Sequence, residues 1–512
     1  MTSGHLEIET KYDVAEGFTL PSLDGLDGVG QVSGPVEHGL EAVYHDTADL
    51  RLLRARVTLR RRTGGPDAGW HLKLPAGTAR RELHAPLGRA VKKPPQTLAA
   101  PVAGLLRGAR TAPVATLRTR RQVTALRDDA GRLLAEVADD MVTATVPAVA
   151  PGEPAELHTW REIEVELGDG DPDAAAAVAA AVGERLAAAG AHPSASASKV
   201  GRVLASRLAA VVPPPAKRRK KGPRAGEFVT VALAEQVALL QAADVALRTD
   251  QPDAVHQLRV GSRRLRSSLA ALRIVLDRQA TDPLREELAW LGGQLAQARD
   301  DEVALAHLRE LVAEQPAELV LGPVAARLQQ LQVKDEQAGL DRARDTLSDQ
   351  RYLRLLDALH ALVSDPPLLE RADERIEAVL RDAVGHSVRR LRRRMKVAED
   401  ARGAGNDEPL HDVRKAAKGV RYVTEIARAE VGGLKDVVRA AKRVQEVLGV
   451  LQDTTVTREL CRRLAVVAFA AGENGFTFGR LHALEQARAE RAEQEFWKIE
   501  PELRRVLKDA AS

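Results

Sequence analysis

The sequence is poor in several features that would assign a protein to a class. Its 512 residues include one cysteine, Cys461, which excludes an intramolecular disulfide and a thiolate metal cluster. The start of the chain lacks the apolar core of a signal peptide. No run approaches the ~20 apolar residues of a membrane span. We therefore expect a soluble, cytoplasmic protein without a membrane partner.

Aromatic residues and net charge are also scarce. Phe, Trp and Tyr make up 3% of the chain, so Ala, Val and Leu must supply most of the core, which suits helical packing. Charged residues make up 29%, yet the net charge is only +4. A site for anions must therefore come from local clustering of charge. The length exceeds one typical core and predicts at least two domains.

The composition changes at a proline-rich, basic segment, "VVPPPAKRRKKGPRAGE", which indicates an extended linker over residues 211–226. Before it, short alternating segments separated by Gly and Pro predict an antiparallel β domain over residues 1–210, with one helix at Asp173–Ala189. After it, long segments with a helical apolar period predict an all-α domain over residues 227–507. The predicted fold class is α+β and multidomain.

Several predicted strands carry charges on every second residue. Because strand side chains alternate between two faces, "EIETK" places two carboxylates and an ammonium group on one face. It leaves Leu6 and Ile8 on the other face, where the predicted helix would cover them. The charged positions with this spacing are Glu7, Glu9, Lys11, Arg60, Arg62, His71, Lys73, Arg118, Arg120, Glu136, Asp140, Glu162, Glu164 and Glu166.

Two arrangements fit these charged faces. In a sandwich the charges would face water, whereas in a closed barrel they would point inward with helices outside. The segregation of acidic strands from arginine-rich strands favours the barrel. Clustered carboxylates suit Mg²⁺ or Mn²⁺, and arginines bind phosphate oxygens through two-point hydrogen bonds. A cavity with both walls would suit a metal–polyphosphate chelate.

The ordered motifs resemble those of the CYTH family, the triphosphate tunnel metalloenzymes. "EIETK" matches the family's ExExK signature, and "WHLKLP", "LRTRR", "AEVADD", "REIEVEL" and "SASKVGR" follow in family order over residues 1–210. The resemblance implies an eight-stranded antiparallel tunnel that binds a triphosphate with Mg²⁺ or Mn²⁺ and hydrolyses it. Family members also act on thiamine triphosphate or RNA ends, or cyclise ATP. The lack of an aromatic cluster beyond Trp70 in the basic strands favours a small inorganic substrate.

The same resemblance implies a role for each matching residue. The metal ligands would be Glu7, Glu9, Glu162 and Glu164. The substrate-binding residues would be Arg60, Arg62, Lys73, Arg118, Arg120 and Lys199. The catalytic set would be Lys11, Glu136 and Asp140, in which the two carboxylates position a second metal or the attacking water.

The helical half repeats internally. "VHQLRVGSRRLRSSL" begins at Val255 and "LHDVRKAAKGVRYVT" at Leu410. In each copy a second match follows, "LAQARDDEV" and then "LGVLQDTTV", which predicts a duplication at about 227–365 and 370–507. Helical spacing gives each first segment one basic face. We call these the first basic stripe (His256, Arg259, Arg263 and Arg266) and the second basic stripe (His411, Arg414, Lys415, Lys418 and Arg421).

These repeated motifs resemble the CHAD domain, which often follows CYTH. The resemblance covers about residues 227–507 and implies two related four-helix bundles around a basic surface that binds inorganic polyphosphate. A third basic cluster, "SVRRLRRRMK", adds Arg390 and Arg393 to the candidate contacts. The second copy has Gln452 where the first has Arg299, so the two halves are not equivalent.

Three functions stay open from the sequence. The first is metal-dependent hydrolysis of inorganic triphosphate or short polyphosphate, with polyphosphate binding by the helical half. The second is polyphosphate binding without catalysis. The third, nucleic-acid binding, is disfavoured by the near-neutral net charge and the scarcity of stacking aromatics. Polyphosphate binding would associate the protein with polyphosphate granules.

Overall fold

The computed structural model describes residues 3–77, 79–88, 93–148, 152–211, 223–402, 408–428 and 430–509. Within these ranges the side chains of residues 3, 4, 296–303, 335, 336 and 509 are not described. The predicted linker lies outside the described residues from 212 to 222. The chain divides into two compact units, Met1–Pro215 and Ala216–Ser512.

The first unit is built on one antiparallel sheet of ten strands. Their bounds are β1 Ser3–Glu7, β2 Glu9–Val14, β3 Gln31–Asp46, β4 Thr58–Thr63, β5 Gly69–Ala76, β6 Ala79–Pro86, β7 Ala112–Arg127, β8 Leu133–Val146, β9 Glu156–Leu167 and β10 His192–Pro193. The strand order across the sheet is β1-β6-β5-β4-β3-β7-β8-β9-β2-β10.

The sheet curls so that one short segment of the chain forms strands near both of its edges. Ile8 alone separates β1 from β2, yet β1 pairs with β6 at one edge and β2 pairs with β9 near the other. The Ile8 carbonyl accepts a hydrogen bond from the Leu167 N–H at 3.0 Å. There are ten strands rather than the eight that the resemblance implies, since this first segment divides at Ile8 and the two-residue β10 pairs with β2.

Six α-helices and one 3₁₀ turn complete the described part of the first unit. Their bounds are α1 Arg51–Arg54, α2 Gln96–Ala99, the 3₁₀ turn Ala100–Val102, α3 Ala103–Leu106, α4 Pro172–Ala188, α5 Lys199–Val203 and α6 Ala205–Val211. The predicted helix at Asp173–Ala189 is therefore present, shifted by one residue. Asp171 caps it by accepting a hydrogen bond from the Ala174 N–H at 3.0 Å.

Helix α4 covers one part of the outer face of the sheet. It packs in a core that includes Tyr12, Leu134 and Ile163. Because strand side chains alternate, burial of these residues against α4 leaves their charged neighbours on the inner face. The prediction that Leu6 and Ile8 lie under this helix is wrong. They are 57% and 43% exposed, since α4 lies over β2, β8 and β9 instead.

A second apolar cluster fills part of the inner face. Leu117, Val142 and Ala144 belong to it, together with Val203 and Leu204 at the end of α5. These strand residues have the same phase as the inward-facing charged residues further along their strands. The inner face is therefore apolar where α5 packs and charged beside it.

The second unit is helical in all its long elements. Its helices are α7 Ala225–Arg248, α8 Ala254–Ala271, α9 Arg278–Ala313, α10 Val324–Ser348, α11 Gln350–Ser364, α12 Ile376–Asp400, α13 Glu408–Ala427, α14 Lys435–Ala470 and α15 Phe476–Asp509. Two 3₁₀ turns, Ala317–Leu319 and Glu370–Asp373, lie between them. Helix α7 is long and apolar enough to cross a membrane, contrary to the sequence expectation, but its Val229, Leu233 and Val237 are buried in the core of this unit.

The two repeat copies share their cores. α8 and α13 carry the two basic stripes, and each precedes a 36-residue helix, α9 or α14. One large apolar cluster joins residues of α7, α8, α12, α13 and both ends of the unit. A smaller cluster joins the later halves of α9 and α14 to the starts of α10 and α15. Consecutive helices pack on one another within each copy, α7 to α10 in the first and α12 to α15 in the second, and each cluster also draws on both copies.

One close approach between α4 and β2 gives a test of this packing. A Cβ at Gly183 would overlap the Tyr12 hydroxyl. Gly183→Ala should therefore lower the free energy of unfolding by about 1 kcal/mol or more, although alanine normally favours a helix by about that amount. Urea denaturation of the full chain measures the change.

The control is Gly419→Ala in α13, where an added Cβ meets no atom within 4 Å. This variant should gain roughly 0.5–1 kcal/mol. Removing the hydroxyl with Tyr12→Phe should restore most of the loss in the Gly183→Ala background. Equal effects of the two glycine substitutions would contradict the packing.

Candidate functional site

The inner face of the curled sheet encloses a polar cavity of about 270 Å³. Strands β1 to β9 all contribute side chains to its wall, and α5 contributes its first residue. The charged residues that line it are Glu7, Glu9, Lys11, Arg60, Arg62, Asp67, Lys73, Arg80, Glu82, Arg121, Glu136, Glu164, Glu166 and Lys199, with the histidines His5 and His38.

Two lysines neutralise the "EIETK" carboxylates. Lys73 Nζ lies 2.5 Å from a Glu7 carboxylate oxygen, and Lys11 Nζ lies 3.0 Å from Glu9 Oε2. Lys11 also contacts Glu164 on the neighbouring strand. Burial would raise the pKa of Glu9, but with Lys11 and Lys73 close by the pKa is lowered. Glu9 therefore stays ionised as an oxygen donor.

A second group of carboxylates surrounds the Lys199 ammonium. Asp140, Glu162 and Glu164 offer oxygens that all lie within 4.8 Å of one another. Lys199 Nζ lies 2.9, 2.6 and 2.5 Å from them. Burial alone would lower the pKa of Lys199, but these three charges outweigh it and raise the pKa. A metal could use this oxygen set only in place of the ammonium.

Arg121 completes this charged network. Its guanidinium donates two hydrogen bonds to Asp140, at 2.8 and 2.6 Å, and also contacts Glu164. Burial would raise the pKa of Glu164, yet Lys11, Lys199 and Arg121 hold it well below its usual range. The buried negative charges here are therefore matched by cations on β2, β7 and α5.

The arginine side of the cavity is matched more loosely. Arg62 contacts Asp67, and Arg60 approaches Glu82 only to 3.8 Å and the Tyr44 hydroxyl to 3.5 Å. Burial, with the charges of Arg60 and Arg121, lowers the pKa of Arg62 to about 10. Burial would also lower the pKa of Arg60, but Tyr44, Glu82 and Glu7 outweigh it and raise that pKa. The excess of positive charge in this wall is therefore centred on Arg62. This wall is suited to hold a multivalent anion such as a chain of phosphates.

The acidic side has the opposite excess near Glu166. Burial and the charge of Glu7 raise the pKa of Glu166 to about 7, and Glu9 and Glu164 add to the shift. β2 pairs Glu9 directly with Glu166, so the two carboxylates lie on adjacent strands facing one cavity. Glu7, Glu9 and Glu166 are hard oxygen donors, and a cation among them would relieve the repulsion at Glu166. They fit a Mg²⁺- or Mn²⁺-type cation.

Most of the residues predicted from the sequence meet in or beside this cavity. Glu7, Glu9, Lys11, Arg60, Arg62, Lys73, Glu136, Glu164 and Lys199 line it. Asp140 and Glu162 are buried behind it and contact Lys199. Their chemical roles stay predictions, since position alone does not assign them.

The placement of Arg118 and Arg120 in the cavity is wrong. Both lie on the outer face of β7, where Arg118 is 76% exposed and its Nε donates to Glu41 at 2.8 Å. The motif "LRTRR" carries arginines in both strand phases, and the inward phase belongs to Arg121, which faces Asp140. Because side chains alternate along β7, Arg121 faces the cavity, whereas Arg118 and Arg120 face outward.

The sequence analysis also missed Arg80 and Glu82 on β6. They alternate in "ARRELHAP" as the recognised strands do, so the same signal would have found them. Glu82 lies 2.5 Å from His71 Nδ1 and 3.5 Å from Lys73 Nζ. It thus provides a carboxylate on the basic side of the cavity.

In the helical unit the two basic stripes approach each other. Burial and then the charges of Arg414, Arg263 and Arg421 lower the pKa of Lys418 to about 8. Arg263 lies on α8, whereas Arg414, Lys418 and Arg421 lie on α13. Cations of both copies therefore lie close together. Asp453 on α14 opposes this shift only in part. The junction of α8 and α13 therefore concentrates positive charge, which Asp453, and Glu425 beside Arg421, offset in part.

Other members of the predicted basic set lie further from this junction. Lys415 is exposed and contacts Asp412 at 3.4 Å. Arg390 and Arg393 are exposed on α12, and the residue of this cluster that reaches α13 is Arg394, 3.2 Å from Asp412. The remaining members of the stripes, His256, Arg259, Arg266, His411, Arg414 and Arg421, are partly buried. The side chains of the first downstream motif, including Arg299, lie outside the described residues.

The state of Glu166 predicts a pH dependence of stability for the metal-free protein. The unfolded chain releases this proton near pH 4.5, whereas the folded protein holds it until about pH 7. Stability should therefore fall as the pH rises between these values, because the unfolded state then binds fewer protons. Glu166→Gln should flatten the slope and raise stability at pH 8 by up to roughly 3 kcal/mol.

Urea denaturation in EDTA at several pH values checks this. Glu41→Gln is the matched control, since Glu41 lies on the outer face beside Arg118. An unchanged slope in Glu166→Gln would show that the carboxyl is not held protonated in the cavity.

Comparison with known proteins agrees with this division of the chain. A family model described as the CYTH domain matches residues 5–190, and one described as the CHAD domain matches residues 231–462. Uncharacterised proteins from two strains of Mycobacterium tuberculosis are each 38% identical over 514 residues. The alignment covers 98% of this chain and 97% of theirs.

Solved structures also resemble parts of the chain. PptA from Streptomyces chartreusis is 22% identical with a TM-score of 0.45, covering 54% of this chain and 99% of its own. The CHAD domain from the plant Ricinus communis is 23% identical with a TM-score of 0.42, covering 59% and 96%. TM-scores this low support no inference about the chemistry of this protein. The two family models, in this order along the chain, show that the protein belongs to the CYTH family and carries a CHAD domain after its CYTH domain.

Proposed function

We propose that the protein is a metal-dependent inorganic triphosphatase whose helical unit binds polyphosphate. The observation that carries the proposal is the polarised cavity, in which carboxylates that repel one another around Glu166 face arginines that repel one another around Arg62. A metal–triphosphate chelate has the complementary distribution, with a cation on one side and phosphate oxygens on the other. Phosphoryl transfer depends mainly on such positioning and charge neutralisation.

Each wall of the cavity has a separate task in this proposal. Glu7, Glu9 and Glu166 would hold Mg²⁺ or Mn²⁺, which supplies charge neutralisation for the phosphate oxygens. Arg60 and Arg62 would bind the phosphates through the donors that their present contacts leave available. Glu136 lines the same wall and would orient the attacking water. Lys11 and Lys73 would keep the glutamates ionised.

The size and lining of the cavity favour an inorganic substrate over a nucleotide or thiamine derivative. Trp70 was the aromatic residue that the basic strands offered for stacking. It is 1% exposed and lies on the opposite face of β5 from Lys73, so it cannot reach a ligand in the cavity. Tyr44 lines the wall, but its hydroxyl lies near the Arg60 guanidinium. ATP cyclisation or thiamine triphosphate hydrolysis would need a further pocket for the organic group.

Loss of the two "EIETK" carboxylates should separate hydrolysis from binding. Glu7→Ala combined with Glu9→Ala should abolish Mg²⁺- or Mn²⁺-dependent phosphate release from triphosphate, because the cation loses two donors. Polyphosphate binding to the full chain should persist. Phosphate release and binding of long polyphosphate are measured on the same preparation, with thiamine triphosphate and ATP as alternative substrates.

Two arginines on opposite faces of the sheet provide a second test and its control. Arg60→Gln should also lose most of the turnover, whereas Arg120→Gln on the outer face should retain it. If wild-type protein binds triphosphate with divalent cations but releases no phosphate, the protein is a binding module and the hydrolase proposal is wrong.

For the helical unit, the junction of the two basic stripes supports the polyphosphate proposal. A phosphate chain placed there would relieve the repulsion that lowers the pKa of Lys418. Cations from both copies could then bind the same phosphate chain. The same chemistry would admit a nucleic-acid backbone, so competition by RNA at physiological salt is the discriminating measurement.

Two neighbouring lysines of α13 test this site. Lys418→Met should weaken binding of long polyphosphate about tenfold or more, because its charge lies between Arg263 and Arg414. Lys415→Met should change the affinity much less, since Lys415 is exposed and paired with Asp412. Affinity should also fall above pH 8 in wild type, where Lys418 loses its proton, and less so in Lys418→Met. Equal losses in the two variants would contradict the junction as the binding site.

A further inference from the structure

The Lys199 ammonium occupies the place that a cation would take among three buried carboxylates. It lies 2.5–2.9 Å from oxygens of Asp140, Glu162 and Glu164, and its own side chain is only 10% exposed. The carboxylates are 0%, 3% and 9% exposed in the same contacts. Arg121 and Lys11 also contact Asp140 and Glu164, but they offset only part of the three buried charges, and the ion pair of Glu162 is with Lys199. Loss of this ammonium without another cation in its place would therefore be destabilising.

The position of Lys199 is tied to groups that line the cavity. Lys199 is the first residue of α5, and Ser198 caps that helix by accepting from the Gly201 N–H at 3.1 Å. Arg80 Nη2 donates to the Ala197 carbonyl at 2.9 Å, two residues before Lys199. The Arg80 guanidinium also lines the cavity. An anion that draws Arg80 toward itself would therefore release the segment that presents Lys199.

The attachment on the other side is apolar. Val200 and Val203 of α5 lie in the cluster on the inner face of the sheet. This packing keeps the body of the helix in place, so a change at Lys199 is expected in its side chain and in the residues before it.

We propose that Lys199 is an internal counter-ion that competes with a divalent cation for Asp140, Glu162 and Glu164. The ammonium holds the three oxygens while the cavity is empty. When triphosphate enters, its charge attracts Lys199 and Arg80, and the freed oxygens accept the metal. At these three oxygens metal and phosphate therefore load together, and the empty protein binds metal there only weakly. This inference rests on the proposed function only for the identity of the anion.

Metal affinity without phosphate tests the competition directly. Mn²⁺ binding to the full chain is measured by titration calorimetry in wild type and in Lys199→Met, which keeps the length of the side chain but removes its charge. We expect about tenfold tighter binding or more in Lys199→Met, because the metal no longer displaces an ammonium. Metal-free Lys199→Met should melt at a lower temperature than wild type, and Mn²⁺ should restore most of the loss.

Two variants control for general electrostatics and for folding. Arg202→Met removes a positive charge from the same helix, where Arg202 contacts Asp13 at 2.6 Å. It should leave Mn²⁺ affinity near the wild-type value. Lys199→Arg keeps a cation at the site and should bind Mn²⁺ no more tightly than wild type.

The outcomes separate cleanly. Unchanged Mn²⁺ affinity in Lys199→Met, or an equal gain in Arg202→Met, would overturn the proposal. If Lys199→Met folds only when Mn²⁺ is added, the metal has replaced the ammonium as the proposal requires, whereas a chain that stays unfolded at saturating Mn²⁺ contradicts it. Because these measurements contain no phosphate, they do not depend on hydrolysis, which is assayed separately in wild type.

Discussion

The structure of the first unit depends on the mutual neutralisation of charges that its sheet directs inward. A buried carboxylate or ammonium is costly unless a partner of opposite charge lies beside it. Lys11 joins β2 to β9, Arg121 joins β7 to β8, and Lys73 joins β5 to β1. These interactions link strands that pair directly, β2 with β9 and β7 with β8, and also β5 with β1, which lie on either side of β6. The neutralisation is uneven, however, and like charges still repel at Glu166 and at Arg62.

Much of this arrangement could be predicted from the sequence because strand alternation is a strict rule. Charges at every second residue identified the inner face of β2, β4, β5 and β9. The rule failed in β7 for a physical reason. Leu117 points inward into the apolar cluster beside α5, so on this strand apolar character does not mark the outer face. The choice between the arginines of "LRTRR" then depends on register with Asp140, which only the folded sheet supplies.

The helical unit shows a similar limit. Helical periodicity predicted both basic stripes, because residues three and four positions apart share one face of a helix. The proximity of Arg263 and Lys418 could not be predicted from the sequence, because it results from packing between α8 and α13. The duplication suggested one bundle for each copy. Consecutive helices do pack on one another within each copy, but two apolar clusters also join helices of both copies, and no local pattern records those contacts.

This sharing of apolar surface has a consequence for the synthesis of the protein. Helix α7 packs first on α8, and then on α11 and α12. The ribosome must therefore release the chain as far as α12, which ends at Asp400, before the apolar surface of α7 is fully covered. Until then part of that surface, which is apolar enough to suit a lipid bilayer, stays available to other molecules in the cell. The nascent chain is therefore expected to depend on protection by chaperones while translation continues.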